Sequence, residues 1–198
     1  MNGHEAPEVV YIYAGADPDR VDADALADFL RLRLPSQVRT RPDFLQYHLP
    51  DDEQRETEAA QKLARARVKD PEQRAGRMEP QAAEKDYESR FLRAGPEKPT
   101  GLLYDAEHVL ELFAGLLPPD EVSAERCHLA MTNQLVGSWA EQDRRYHARA
   151  AVFGLPSLIS TCGLVQGPAR PREVYMARQL GFRQTARDPD LRERDLEM

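Results

Sequence analysis

The stretch Tyr146–Val165, YHARAAVFGLPSLISTCGLV, decides how this chain is read. Two runs of β-forming residues, 146–153 and 158–165, flank the turn-forming quartet Gly154-Leu155-Pro156-Ser157. That pattern predicts a β-hairpin. If Phe153 pairs with Leu158, side-chain alternation puts Tyr146, Ala148, Ala150, Val152, Ile159, Thr161 and Val165 on one apolar face. His147, Arg149, Ser160 and Cys162 fall on the other, polar face. The first faces a core, and the second faces solvent, a ligand or a covering loop.

Outward from the hairpin, the N-terminal part reads strand, helix, strand. Glu8–Ala14 (EVVYIYA) is a β-branched and aromatic run. The apolar positions Leu26, Phe29, Leu30 and Leu34 recur at helical spacing behind Asp22 or Asp24 as N-cap, and Pro35 stops the helix. Residues 36–40 suit a second, more exposed strand. Later, GLLYD (101–105) reads as a short buried strand. A helix follows, capped by Asp105, with Leu110, Phe113, Ala114 and Leu117 on its inner face. The segment CHLAMTNQLVGSW (127–139) reads as a strand carrying His128 to Met131, followed by a turn near Thr132 and Asn133. Strands interleaved with helices predict an α+β or α/β fold, a single domain over 1–182 with a mixed β-sheet and flanking helices.

Between 42 and 99 the character changes to a charged helical insertion. A thin stripe of Ala59, Leu63 and Ala66 runs behind Asp51 or Asp52, and a second helix is expected over 81–92. The expectation is surface helices joined by a partly mobile loop around 71–80. Residues 169–182 suit one short helix, and 183–198, nearly without apolar residues, a disordered tail.

The chain has 198 residues, 27 Lys and Arg against 34 Asp and Glu, and a net charge of −7. An acidic balance argues against nucleic acid or an anionic membrane as main partner. No apolar run approaches the ~20 residues of a spanning helix, and no signal peptide is apparent. Two cysteines, Cys127 and Cys162, rule out a disulfide framework and favour a cytoplasmic setting.

Motifs with known chemistry are scarce. The five histidines, His4, His48, His108, His128 and His147, never occur as H-E-x-x-H, and no C-x-x-C exists, so no metal ligands are assigned. Phosphate-loop signatures and the G-x-S-x-G elbow are absent. What remains is the polar hairpin face. Asp143, Arg145, His147, Arg149, Ser160 and Cys162 are the candidate ligand-binding residues, for a peptide strand or a small anionic molecule. Cys162 with His147 is the alternative, a nucleophilic couple.

Several segments carry a resemblance. They are Gln142-Asp143-Arg144-Arg145-Tyr146-His147-Ala148-Arg149, Phe153-Gly154-Leu155-Pro156-Ser157, Ile159-Ser160-Thr161-Cys162-Gly163-Leu164-Val165 and Pro168-Ala169-Arg170-Pro171-Arg172-Glu173-Val174-Tyr175. Together with Thr132-Asn133-Gln134-Leu135 they resemble a family of uncharacterised, largely archaeal metallopeptidases over about a quarter of the chain. The layout is more distantly similar to archaemetzincins, where comparable strands precede a zinc-binding helix. The resemblance implies zinc as cofactor. In that family a histidine- and cysteine-bearing segment lies further toward the C-terminus. This chain reaches Met198 with an arginine-rich polar segment in its place, and Asn133 stands where the family tends to have aspartate. The expectation is a scaffold whose metal-binding half is missing and which is catalytically inactive. A separate chain supplying that half is the other possibility.

Overall fold

The structure is a computed structural model, and it describes residues 6–15, 21–49, 52–76, 78–94 and 101–162. The expected helix near 169–182, the tail and the end of the second hairpin strand lie outside the described residues. Strand β1 (Val9–Tyr13) leads through helix α1 (Ala23–Arg31) to β2 (Gln37–Arg41). Three helices follow: α2 (Phe44–His48), α3 (Glu53–Ala66) and α4 (Ala82–Ala94). The remainder is β3 (Leu103–Asp105), α5 (Ala106–Leu116), a 3-10 turn (Pro119–Glu121), β4 (Arg126–Thr132), β5 (Leu135–Ala140), β6 (Arg145–Arg149), β7 (Ala151–Val152) and β8 (Ser157–Ser160).

Local chemistry explains the helix starts. Asp22, Asp43, Asp52 and Asp105 each accept backbone N–H bonds from the first turn of α1, α2, α3 and α5. Those donors have no partner within their own helix, and a short carboxylate satisfies two at once.

The strands form two mixed sheets. A five-stranded sheet has the order β2-β1-β4-β8-β7, and a three-stranded sheet the order β3-β5-β6. In the first, β2, β1, β4 and β8 run parallel and only the edge strand β7 is antiparallel. Parallel strands are covered on both faces. On one face Val10, Ile12, Val38 and Met131 pack against α1 through Ala27, Leu26 and Leu30. On the other, Tyr11, Tyr13, Ala130 and Leu158 meet α2, α3 and α5 through Phe44, Ala59, Leu63, Val109 and Phe113. The α/β architecture follows, with two sheets where the sequence suggested one.

Three sequence expectations change. The 146–165 hairpin is not one ribbon. Residues 145–149 pair antiparallel with β5, a strand that the sequence reading did not separate from β4, and only β7 pairs with β8. Its register is Val152 opposite Leu158 rather than Phe153 opposite Leu158. A one-residue slip reverses every side chain. Thr161 and Cys162 have left the strand for helical backbone. The chain changes sheet at Ala150, whose carbonyl still accepts the Ser160 N–H at 2.8 Å.

The second change concerns the 42–99 segment. Its thin stripe is core: Ala59, Ala60, Leu63, Ala64 and Ala66 are all buried. Small residues let α3 lie close to its neighbours, so a stripe weak in hydrophobicity still buries fully. Behind it, Glu88 of α4 is wholly buried and receives Arg67 Nε at 2.5 Å and the Tyr104 hydroxyl at 3.1 Å. The expected loop around 71–80 docks on the small sheet. Tyr146 donates its N–H to the Pro71 carbonyl at 2.7 Å and accepts the Ala75 N–H on its hydroxyl at 3.0 Å. The third change is minor: of the expected inner face of α5, Phe113 and Leu117 are buried, Leu110 is half-buried and Ala114 is exposed, while Ala106, Val109 and Leu112 join the buried side.

Removing one member of a buried ion pair strands the other charge. Glu88→Ala is therefore expected to lower stability by about 3–5 kcal/mol in urea unfolding. The double change Arg67→Met with Glu88→Leu, which leaves no charge behind, recovers most of it. A loss below about 1 kcal/mol for Glu88→Ala contradicts this role.

Candidate functional site

In an open parallel sheet, ligands sit beyond the carboxyl ends of the strands where chain connections diverge. Here the chain leaves β1 for β2 on one side and returns to β4 on the other. The divergence lies between β1 and β4, and a polar knot sits beside it on the face that α2 covers.

The knot centres on Tyr13, the last residue of β1, which has no exposed surface. Its hydroxyl lies 2.8 Å from Arg41 Nη1, 3.0 Å from His48 Nε2 and 3.0 Å from His128 Nδ1. Arg41 ends β2 and forms a two-pronged pair with Glu121 of the 3-10 turn, at 2.7 and 2.6 Å. The other His128 nitrogen, Nε2, lies 3.1 Å from the Glu121 carbonyl.

These contacts fix the protons. A carbonyl only accepts, so His128 carries its proton on Nε2 and its Nδ1 is an acceptor. The single Tyr13 proton goes there. The Tyr13 oxygen then accepts from Arg41 and from His48 Nε2–H. Every contact has one donor and one acceptor. Burial, then the neighbouring Arg41 charge, lowers the His48 pKa to about 4, and burial also lowers that of His128. Burial pushes Tyr13 up to about 12, against the pull of Arg41. The Arg41 bond holds the Glu121 carboxyl below its ordinary range despite partial burial. Both imidazoles are neutral at pH 7.

A cleft of about 30 Å3 is lined by Asp43, Thr132 and Gln134 and by apolar side chains including Leu63, Tyr104, Phe113 and Met131, with none of the knot residues on its wall. It has room for about two waters. Desolvation raises the Asp43 pKa against its two capping amides. None of Tyr13, Arg41, Asp43, His48 and Glu121 was singled out from sequence. They come together only through parallel pairing and the fold-back of α2, which no local motif marks.

The residues singled out from sequence divide into two groups. Asp143, Arg145, His147 and Arg149 share the outer side of the β5–β6 hairpin. There His147 Nε2 lies 2.6 Å from Asp143 Oδ2, and Arg149 Nε donates to Ser138 Oγ at 2.6 Å. Ser160 and Cys162 do not join them. Both are buried, at the end of β8 in the other sheet, where Ser160 donates to the Gln134 carbonyl at 2.7 Å. The register that put Cys162 on the His147 face does not exist, so the nucleophilic couple has no geometric basis.

A family model described as the probable metallopeptidase family (DUF6775) matches residues 6–195. The chain belongs to this family. The match extends far beyond the quarter of the chain that carries the motif resemblance. No curated protein and no solved structure matches the chain.

A metallopeptidase implies a hydrolytic metal, for which zinc held by three protein ligands, mostly imidazoles, is the usual form. The described residues do not fit it. His48 and His128 spend their facing nitrogens on Tyr13 and Glu121, and His147 is engaged by Asp143. Among the described residues no three His, Cys, Asp or Glu side chains converge on one point. From Gly163 to Met198 the sequence contains neither histidine nor cysteine.

The depressed imidazole pKa values have a stability consequence. Between pH 6.5 and about 4 the unfolded chain binds more protons than the folded one. Stability is full above pH 6.5 and drains as pH falls toward 4, by about 3 kcal/mol from His48 alone. Urea midpoints at pH 7.5 and 4.5 measure it. His48→Gln keeps an N–H for Tyr13 but cannot titrate, and is expected to flatten this part of the profile. An equally steep profile in that variant contradicts the assignment.

Proposed function

We propose that this chain is an archaemetzincin-like member of its family that binds peptide in extended form and does not itself hydrolyse it, in a cytoplasmic setting. The observation that carries the reading is the edge strand β7. It pairs with β8 on one side, and among the described residues no strand pairs with its other side. An open edge offers unpaired backbone N–H and C=O groups, which an extended peptide satisfies by adding a strand.

The surroundings of that edge favour a particular peptide. Phe153, directly after β7, is 87% exposed, an unusual position for a large apolar ring and a ready anchor. Directly before β7, Arg145 and Arg149 stand on the outer side of β6, where an acidic peptide side chain finds partners. The expected polar-face ligand thus keeps Asp143, Arg145, His147 and Arg149 and moves to the β6–β7 segment. Ser160 and Cys162 play no part in it.

Two features support the archaemetzincin-like assignment. Four parallel strands with one antiparallel edge strand end at β8, and the chain turns helical at Thr161 and Cys162, where a zinc-binding helix follows the strands in archaemetzincins. The donor set supports the lack of hydrolysis. Among the described residues no helix is long and apolar enough to cross a membrane.

Short acidic peptides titrated by fluorescence anisotropy test the binding. Arg149→Ala and Phe153→Ala are each expected to weaken it about ten-fold, since anchors of this kind carry most of a small interface. Metal analysis with a casein digestion assay tests the rest, with substoichiometric zinc and intact casein expected. Stoichiometric zinc together with cleavage overturns the inactive reading. Unchanged affinity in both variants overturns the β7 site.

A further inference from the structure

A second cavity lies where the C-terminal end of α3 meets the segment that follows it, and it shares no lining residue with the β7 edge. It measures about 60 Å3 and is lined by Arg65, Arg67, Lys69 and Arg74, with Asp70, Gln73, Ala75 and Gly76 closing it. Four cations share one small concavity. The one carboxylate on its described lining is already committed, because Asp70 Oδ1 accepts the Glu72 N–H and Oδ2 accepts Gln73 Nε2.

Each cation does have a carboxylate partner, but none of those carboxylates lines the cavity. Glu79, which pairs with Arg65, and Glu141, which pairs with Arg74, are 64% and 71% exposed. Pairs so exposed are screened by water and worth little. Lys69 reaches Glu84 at 2.8 Å, and Arg67 spends Nε on the buried Glu88. That leaves Arg67 Nη2 buried with no hydrogen-bond partner. A guanidinium carries five N–H donors in a planar fork, and an enclosed donor without an acceptor is costly. This wall is short of acceptors.

Size narrows the ligand. A single water needs about 10–15 Å3, so the cavity of about 60 Å3 holds about four to six water-sized atoms. The five heavy atoms of a tetrahedral oxyanion fall in that range. Gly76 has φ +76°, and a Cβ there would lie 2.7 Å from His108 Nε2. The loop therefore runs hard against α5 at this point, and only glycine fits there.

We propose that this cavity binds a phosphoryl-type oxyanion, held by Arg65, Arg67, Lys69 and Arg74. The ligand is an inorganic phosphate or sulfate, or the same group on a larger molecule. Arg and Lys are the side chains suited to it: guanidinium by its fork and ammonium by its compact charge.

Isothermal titration of the chain with inorganic phosphate at low salt and pH 7.5 tests the site. Saturable binding with Kd below about 1 mM is expected. Because Arg67 also neutralises Glu88, the informative variants are Lys69→Gln and Arg74→Gln, each expected to weaken phosphate about ten-fold. Arg39→Gln, an exposed arginine of β2 outside the cavity, is expected to leave it unchanged. A phosphoserine peptide binding more tightly than phosphate assigns the group to a larger ligand, and weaker binding assigns the free ion; either upholds the site. No saturable phosphate binding, wild-type affinity in both cavity variants, or an equal loss in Arg39→Gln overturns it.

Discussion

One buried hydroxyl organises the larger sheet. Tyr13 Oη gathers Arg41 from β2, His48 from α2 and His128 from β4. Burying that many polar atoms is unfavourable unless each finds a partner, and here each does. The arrangement admits one proton distribution, so it tolerates few alternatives. It sets the depth at which α2 sits on the sheet, and α2 carries Phe44, whose ring stacks on Phe113 of α5 at 4.3 Å. The apolar layer beneath α3 and α5 is built outward from that contact.

What could be read from the chain was local. Asp caps, the β-branched run of β1 and the break at Pro35 report on residues a few positions apart, and the elements they mark are present. What could not be read was pairing. β8 lies beside β4, some thirty residues away in sequence, and β6 turns back on β5 instead of continuing toward β8. Alternation in 145–149 correctly separated Tyr146 from His147 and Arg149, but it carries no information about which strand lies alongside. α3 was misjudged because alanine scores weakly as a hydrophobe yet packs closest. The Tyr13 knot was invisible for a plainer reason: its members are spread from residue 13 to residue 128.

The same knot bears on function. A scan for histidines in this family raises the thought of zinc, but imidazoles that are desolvated, neutral and already bonded serve as struts. Hydrolytic zinc needs imidazoles with a nitrogen free to face the ion and an open coordination position for water. The proposed binding sites lie elsewhere. The open edge at β7 and the cationic cavity beyond the C-terminal end of α3 are proposed for different ligands, one backbone-directed and one anion-directed, and neither uses His48 or His128.

The most direct measurement of this account is long-range 1H–15N NMR of the imidazoles in the intact chain at pH 7, before and after adding zinc. The account predicts that His48 and His128 are neutral, protonated on Nε2, and unmoved by one equivalent of the metal. Both rings shifting together on zinc addition, or His128 protonated on Nδ1, would contradict it.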